Sequence, residues 1–198
     1  CKPLQQPHPP MAISAMSPFS SSVRYAAEME FIPISANFIG NWSVKSHWQV
    51  YAEEAEKHGR TADPEIWRVA KNIHIADTDA EAEAFVKQPG GSFDWYFDYL
   101  YRIFDRAQMK GAFVVNKGDD ASELTHDMLR DNYTLYGSPE TVAEKILALR
   151  EDIGHFGTLV LTAQDWVDAD AMKRSMTLLA EEVMPKVNAA IGSQAAAD

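Results

Sequence analysis

Residues 9–22 read PPMAISAMSPFSSS. A short apolar run at residues 11–16 stops at Ser17-Pro18 and a serine cluster, Ser20, Ser21 and Ser22. A helical pattern, Val23, Ala26 and Ala27, follows. This is the pattern of a buried strand turning into a helix. Ser17 suits an N-cap and Pro18 the first helical position, so a helix over residues 17–29 is expected. The free N–H groups of a first turn, with serine hydroxyls beside them, make an anion site at the C-terminal end of a strand. Read alone, the stretch fits an ordinary capped helix as well as a phosphate grip, and capped helices are the commoner of the two.

Outward from this unit the same rhythm recurs. Residues 1–10 carry prolines at 3, 7, 9 and 10 and read as an extended lead-in. Residues 31–35, FIPIS, form a second short strand in which Pro33 is awkward for a central position. Residues 43–58 read as a helix with Val44, Trp48, Tyr51, Ala52 and Ala55 on one face and Gly59 closing it. Residues 67–76 hold a third strand, with Val69, Ile73 and Ile75 apolar. Thr78 and Glu81 form a capping box for the helix that follows. Ser138-Pro139-Glu140 opens another helix, stopped by Gly154. TLVLT at 158–162 is the clearest strand, and residues 170–187 are the last helix, with Met172, Met176, Leu179, Val183 and Val187 inward. Strand and helix alternate, which argues a parallel sheet covered by helices. Doubly wound sheets and (β/α)8 barrels both fit, and the four strands are half of what a barrel needs.

Residues 88–135 break the rhythm. A Pro-Gly-Gly turn leads into an aromatic run, Phe93, Trp95, Tyr96, Phe97, Tyr99, Tyr101 and Phe104. Apolar over much of its circumference, it must pack against something or cover a cavity, and core or interface filling is the simpler of the two.

The composition bounds the partners. The chain has 198 residues with a net charge of -11 and no strong basic run, which argues against nucleic acid and anionic membrane surfaces. No apolar run is long enough to cross a bilayer. A single cysteine, Cys1, rules out an intrachain disulfide and a cysteine-rich metal site, and suits a cytoplasmic location. The histidines have no metal-ligand spacing, so no metal is expected. Starting on Cys1 rather than Met, the chain is expected to belong to a larger protein.

The ordered set of motifs resembles the bacterial luciferase-like family of flavin-dependent monooxygenases. PHPPMAISAMSP with its serines and RYAAEMEFIPIS is similar to that family's fifth strand, fifth helix and sixth strand. HWQVYAEEAEKHGRTADPEIWRVAKNIHIADTDAEAEAFV is similar to its sixth helix, seventh strand and following helix. YGSPETVAEKILALREDIGHFGTLVL and RSMTLLAEEVMPKV are similar to its last strand and the helices on either side. The wording is closest to the subset that includes limonene and diketocamphane monooxygenases. The resemblance implies an α/β fold, the C-terminal part of a (β/α)8 TIM barrel of about four βα units, in a single domain with a helical insertion over about 88–135. It implies reduced FMN delivered by a separate flavin reductase, O2 as co-substrate, an apolar organic substrate and a homodimer. A non-catalytic flavin-binding half-barrel, or a deazaflavin-dependent oxidoreductase of the same fold, remains open.

The resemblance also suggests residues. The family's loop after the fifth strand touches the FMN phosphate and matches Met16, Ser17, Ser20 and Ser21. Where the luciferase pattern has an acid, this chain has Met16, so no carboxylate contact carries over. Asn37, after the sixth strand, falls near the flavin edge. The family's catalytic histidine and phosphate-binding arginine lie in its N-terminal half, so no catalytic residue is assigned here. His74, opposite in phase to Ile73 and Ile75, points to the barrel interior or to the helix layer. Asp165 and Trp166, just past TLVLT, stand where they would line the mouth, and His74, Asp165 and Trp166 are the candidate substrate-pocket residues.

Overall fold

The structure, a computed structural model, describes residues 3–164 and 167–195. Five parallel strands form its sheet: β1 (Ala12–Ala15), β2 (Ile32–Ser35), β3 (Arg68–Ile75), β4 (Thr134–Gly137) and β5 (Thr158–Thr162). β3 is the hub. Arg68 and Val69 pair with both β2 and β5, and Asn72 pairs with both β4 and β5. A strand has two edges, so β2 and β4 share one edge of β3 and β5 holds the other. The path is β1-β2-β3-β5, with β4 taking over from β2 along the upper half of β3. The four expected strands therefore stand in chain order. β4 is a correction: four residues at the end of the stretch read as insertion are too few for a period-two signal.

Pro33 sits at a tolerated place. Ile32 and Ala36 donate their N–H groups to Met11 and Ala15 of the β1 segment. By alternation the Pro33 nitrogen faces β3, whose ladder with β2 begins only at Ile34. No bond is lost.

The helices are α1 (Ser21–Glu28), α2 (Asn41–Lys57), α3 (Asp79–Val86), α4 (Ser92–Arg106), α5 (His126–Tyr133), α6 (Pro139–Ile153), α7 (Ala169–Leu178) and α8 (Met184–Ala195). The expected caps at Thr78 and Ser138 are present, Thr78 with the reciprocal Glu81 bond. α7 and α8 are joined by one wide π turn, Leu179–Val183. That turn adds a residue to the repeat, so the inward set is Met172, Ser175, Leu178, Val183 and Val187. Met176, expected inward from an unbroken 3.6 period, is 44% exposed.

Side chains of β3 divide by alternation. Ile73 and Ile75 pack under α6 and the α7–α8 pair with Val142, Ile146, Leu178 and Val183. Lys71 shares their face and is buried, its ammonium donating to Asn41 Oδ1 at 3.1 Å, and burial pushes its pKa down to about 8. Asn72 and His74 take the opposite face, beneath the insertion. There α4 buries Phe93, Phe97 and Leu100 in one cluster with Phe113 and Tyr133. At the lower end of β3, Trp67 is fully buried, stacked on Trp48 at 5.6 Å. Gly157 passes so close to the turn before β3 that a Cβ there would lie 1.9 Å from the Glu65 carbonyl oxygen. Only glycine lets β5 start at that point.

Candidate functional site

β1 and β2 end level, Ala15 opposite Ser35. β2 parts from β3 one step after the Ser35–Val69 pair. Over this split lies a cleft of about 500 Å³, lined by Met16, Ser17, Ser20, Ser22, Asn37 and Ala70 among others. It stands at the C-terminal ends of the strands, where barrel active sites lie. Four of the residues read from the sequence, Met16, Ser17, Ser20 and Asn37, meet in it. Ser21 does not line it. It is exposed at the first position of α1, and Ser22 lines the cleft instead.

The helix start is three residues later than expected. Phe19 adopts a left-handed backbone, φ 51°, which breaks the chain between Ser17 and the helix. Ser20 is the N-cap, its Oγ accepting the Ser22 N–H at 3.2 Å, and Ser17 and Pro18 belong to a loop. Ser17 is thus released from capping and exposed in the cleft wall. The Ser20 oxygen is committed to the cap, but its O–H stays able to donate.

Two buried side chains of α2 hold this loop. Ser46 Oγ accepts the Phe19 N–H at 2.9 Å while donating to the Ser43 carbonyl at 2.7 Å. His47 Nε2 lies 2.9 Å from the Ser17 carbonyl oxygen, and its Nδ1 lies 2.9 Å from Ser35 Oγ. A carbonyl only accepts, so Nε2 carries the proton and Nδ1 accepts from the Ser35 hydroxyl. Trp67 Nε1 donates to the same Ser35 oxygen at 3.0 Å. The direction of every bond in this chain is fixed by its ends. Burial lowers the His47 pKa, opposed by its bond to the Ser17 backbone, which favours the neutral ring this arrangement requires.

The other wall of the split is a carboxamide network. Asn37 Nδ2 donates to Asn72 Oδ1 at 2.7 Å and to Tyr96 Oη of α4 at 3.0 Å. Asn72 Oδ1 also accepts from Gln164 Nε2 at 2.6 Å. Asn72 Nδ2 donates to the carbonyls of Tyr133 and Asn37 at 2.9 and 3.2 Å. The ends of β2, β3 and β5 and the insertion are all tied to one side chain. Asn37 is therefore a pinned wall residue, both bonds drawn from its amide nitrogen.

Among the described residues no charged side chain lines the cleft. A phosphate there would meet hydroxyls and the start of α1, and its charge would have to be matched from outside this wall.

His74 is placed elsewhere. It faces the insertion, stacked on Phe85 at 4.0 Å and edge-on to Phe93 at 5.9 Å. It borders a recess of about 200 Å³ with Asp77, Glu81, Phe85 and Arg174, which shares no lining residue with the cleft. Its Nδ1 is buried without a hydrogen-bond partner among the described residues, and burial pushes its pKa down to about 4. Asp165 and Trp166 lie outside the described residues. Asp94, His126 and Asp127 draw together on the insertion, which sequence spacing did not reveal, but Arg130 Nη1 already sits 3.2 and 2.7 Å from the two carboxylates.

His47, Asn72, Tyr96 and Gln164 were not read from the sequence as site residues, and Ser22 only as a member of the serine cluster. A signal for His47 existed: Val44, His47, Tyr51 and Ala55 are spaced three and four apart, the buried stripe of α2. Asn72 was hidden because Lys71 broke the apolar alternation around it.

No protein-family model matches the chain. It is similar to 3,6-diketocamphane 1,6-monooxygenase of Pseudomonas putida, 38% identical over 181 residues, 90% of this chain and 47% of that protein. It is 34% identical to 2,5-diketocamphane 1,2-monooxygenase 2 of the same organism, over 89% of this chain and 49% of that one. A solved structure of the oxygenating constituent of 3,6-diketocamphane monooxygenase from the CAM plasmid of Pseudomonas putida, a type II Baeyer-Villiger monooxygenase in complex with FMN, superposes with a TM-score of 0.80. That match has 37% identity and spans 91% of this chain and 49% of the other. The chain thus spans about half the length of the relatives it matches, and its sheet and helices correspond to about half of their luciferase-like barrel.

Proposed function

We infer that this chain, placed by sequence and fold with the luciferase-like flavin monooxygenases, forms one wall of an FMN site in an enzyme that oxygenates an apolar organic substrate. The observation that carries the reading is the cleft of about 500 Å³ at the ends of β1 and β2, with Ser17, Ser20 and Ser22 on one side and Asn37 on the other. Hydroxyl donors at a helix start suit a phosphate. The uncharged lining, among the described residues, suits a half-site whose cation comes from the remaining part of a barrel. When bound, reduced FMN supplies the chemistry with O2. The protein's part is to hold the phosphate with Ser17, Ser20 and Ser22 and to place Asn37 beside the ring. A reductase that delivers reduced FMN, a homodimeric assembly and a cytoplasmic setting belong to the same reading. No described helix is long and apolar enough to cross a membrane.

Replacing Ser17 and Ser20 with Ala tests it. FMN binding, followed by flavin fluorescence, weakens by about 1–3 kcal/mol for the pair. Ser20→Ala alone also lowers stability by about 1 kcal/mol through loss of the cap, whereas Ser17→Ala leaves stability unchanged because Ser17 caps nothing. FMN affinity unaltered in both variants sinks the assignment.

A further inference from the structure

Ser17 and Phe19 are held by contacts that the packing of α1 does not demand. His47 and Ser46 are neighbours on α2, 4% exposed or less, and each spends a buried polar group on a main-chain atom of the loop. His47 is itself oriented from behind by Ser35 of β2, which Trp67 orients in turn. This chain ends on the carbonyl of Ser17, a serine of the cleft wall with no capping duty. We propose that His47 is a positioning residue: its Nε2–H tether to the Ser17 carbonyl sets the loop so that the cleft selects a phosphorylated flavin over the same flavin without phosphate. The inference rests on the flavin reading above and adds to it a residue that never touches the ligand.

Geometry explains why a histidine serves. The ring spans two acceptor–donor positions on opposite sides, Ser35 behind and Ser17 ahead, and its two nitrogens have opposite roles in the neutral form. Glutamine can offer an amide N–H to the Ser17 carbonyl from a comparable reach, while leucine offers none. Ser46 fixes the next turn of the loop through the Phe19 N–H, so loss of either hold frees Ser17 while α1, capped by Ser20, stays formed.

The test compares FMN with riboflavin on the intact protein, for wild type, His47→Leu, His47→Gln and Ser46→Ala, with thermal unfolding of each. Expected is a wild-type preference for FMN, cut about tenfold in His47→Leu and in Ser46→Ala through weaker FMN binding with riboflavin binding unchanged, and largely restored in His47→Gln. A His47→Leu variant that folds and keeps the wild-type preference overturns the inference and leaves the flavin assignment intact. Wild-type protein that binds neither flavin overturns the flavin assignment and this selectivity with it. Nitrogen chemical shifts of the His47 ring give a check that needs no ligand. A protonated Nε2 with a bare Nδ1 supports the tether, and the opposite tautomer overturns it whatever the protein binds.

Discussion

Asn72→Leu lowers the unfolding free energy by about 3–4 kcal/mol, because a near-isosteric apolar side chain leaves several buried partners stranded at once. Gln164 Nε2 loses its 2.6 Å acceptor, the Tyr133 and Asn37 carbonyls lose their donor, and Asn37 Nδ2 keeps only the phenol of Tyr96. Each buried orphan costs about 1–3 kcal/mol, and relaxation of Gln164 toward the surface recovers part of the sum. The effect reaches the cleft as well, since Asn37 is the wall residue held across the split between β2 and β3. Urea unfolding of wild type and variant measures the loss. An unchanged midpoint with an unchanged slope would mean that the network is decorative and that the strand ends are held by packing alone.

The contrast between Asn72 and the rest of β3 shows what the sequence made legible. Alternation of Val69, Ile73 and Ile75 located the strand and separated its two faces, but not which of them meets the helices. The caps at Thr78 and Ser138 located two helix starts to the residue, because a cap is a local bond between neighbours in sequence. The alternation of elements pointed to a parallel sheet covered by helices, and the family resemblance chose the barrel over a doubly wound sheet. What stayed hidden was set by contacts distant in the chain. Asn72 reaches partners at positions 37, 133 and 164, and His47 acts on residues 17 and 35. Neither leaves a local pattern. The displaced start of α1 has a different cause: Phe19 takes a left-handed conformation that aromatic residues rarely adopt, so the serine that looked like the better cap was the wrong one. That error bears on the site, since it frees Ser17 for the cleft. The π turn between α7 and α8 likewise defeats any fixed helical period. The four residues of β4 carry no signal apart from the strand they pair with.

His74 gives the second large effect, and it is one of pH. Burial holds its folded pKa near 4, below the 6.5 of an exposed histidine, with Asp168 opposing the shift only in part. A folded pKa below the unfolded one means that the unfolded chain binds the extra proton first. Stability is therefore complete above pH 6.5 and falls as the pH drops from 6.5 toward 4. The full loss is roughly 3 kcal/mol, of which about 2 kcal/mol has gone by pH 5. His47, also lowered by burial, acts in the same direction, so wild type loses more than His74 alone accounts for. Phenylalanine at position 74 keeps the stack on Phe85 and the edge contact with Phe93 but cannot take a proton. It also removes the buried Nδ1 that lacks a partner among the described residues. His74→Phe is thus expected to be at least as stable as wild type near pH 7 and to gain a further margin of about 2 kcal/mol over it at pH 5. Urea unfolding of both proteins at the two pH values isolates the effect, since the carboxylates common to both cancel in the difference. If both proteins lose the same stability from pH 7 to 5, His74 is not held neutral by its aromatic surroundings. It must then find a charge partner on protonation, with Asp168, whose charge already opposes the shift, one source.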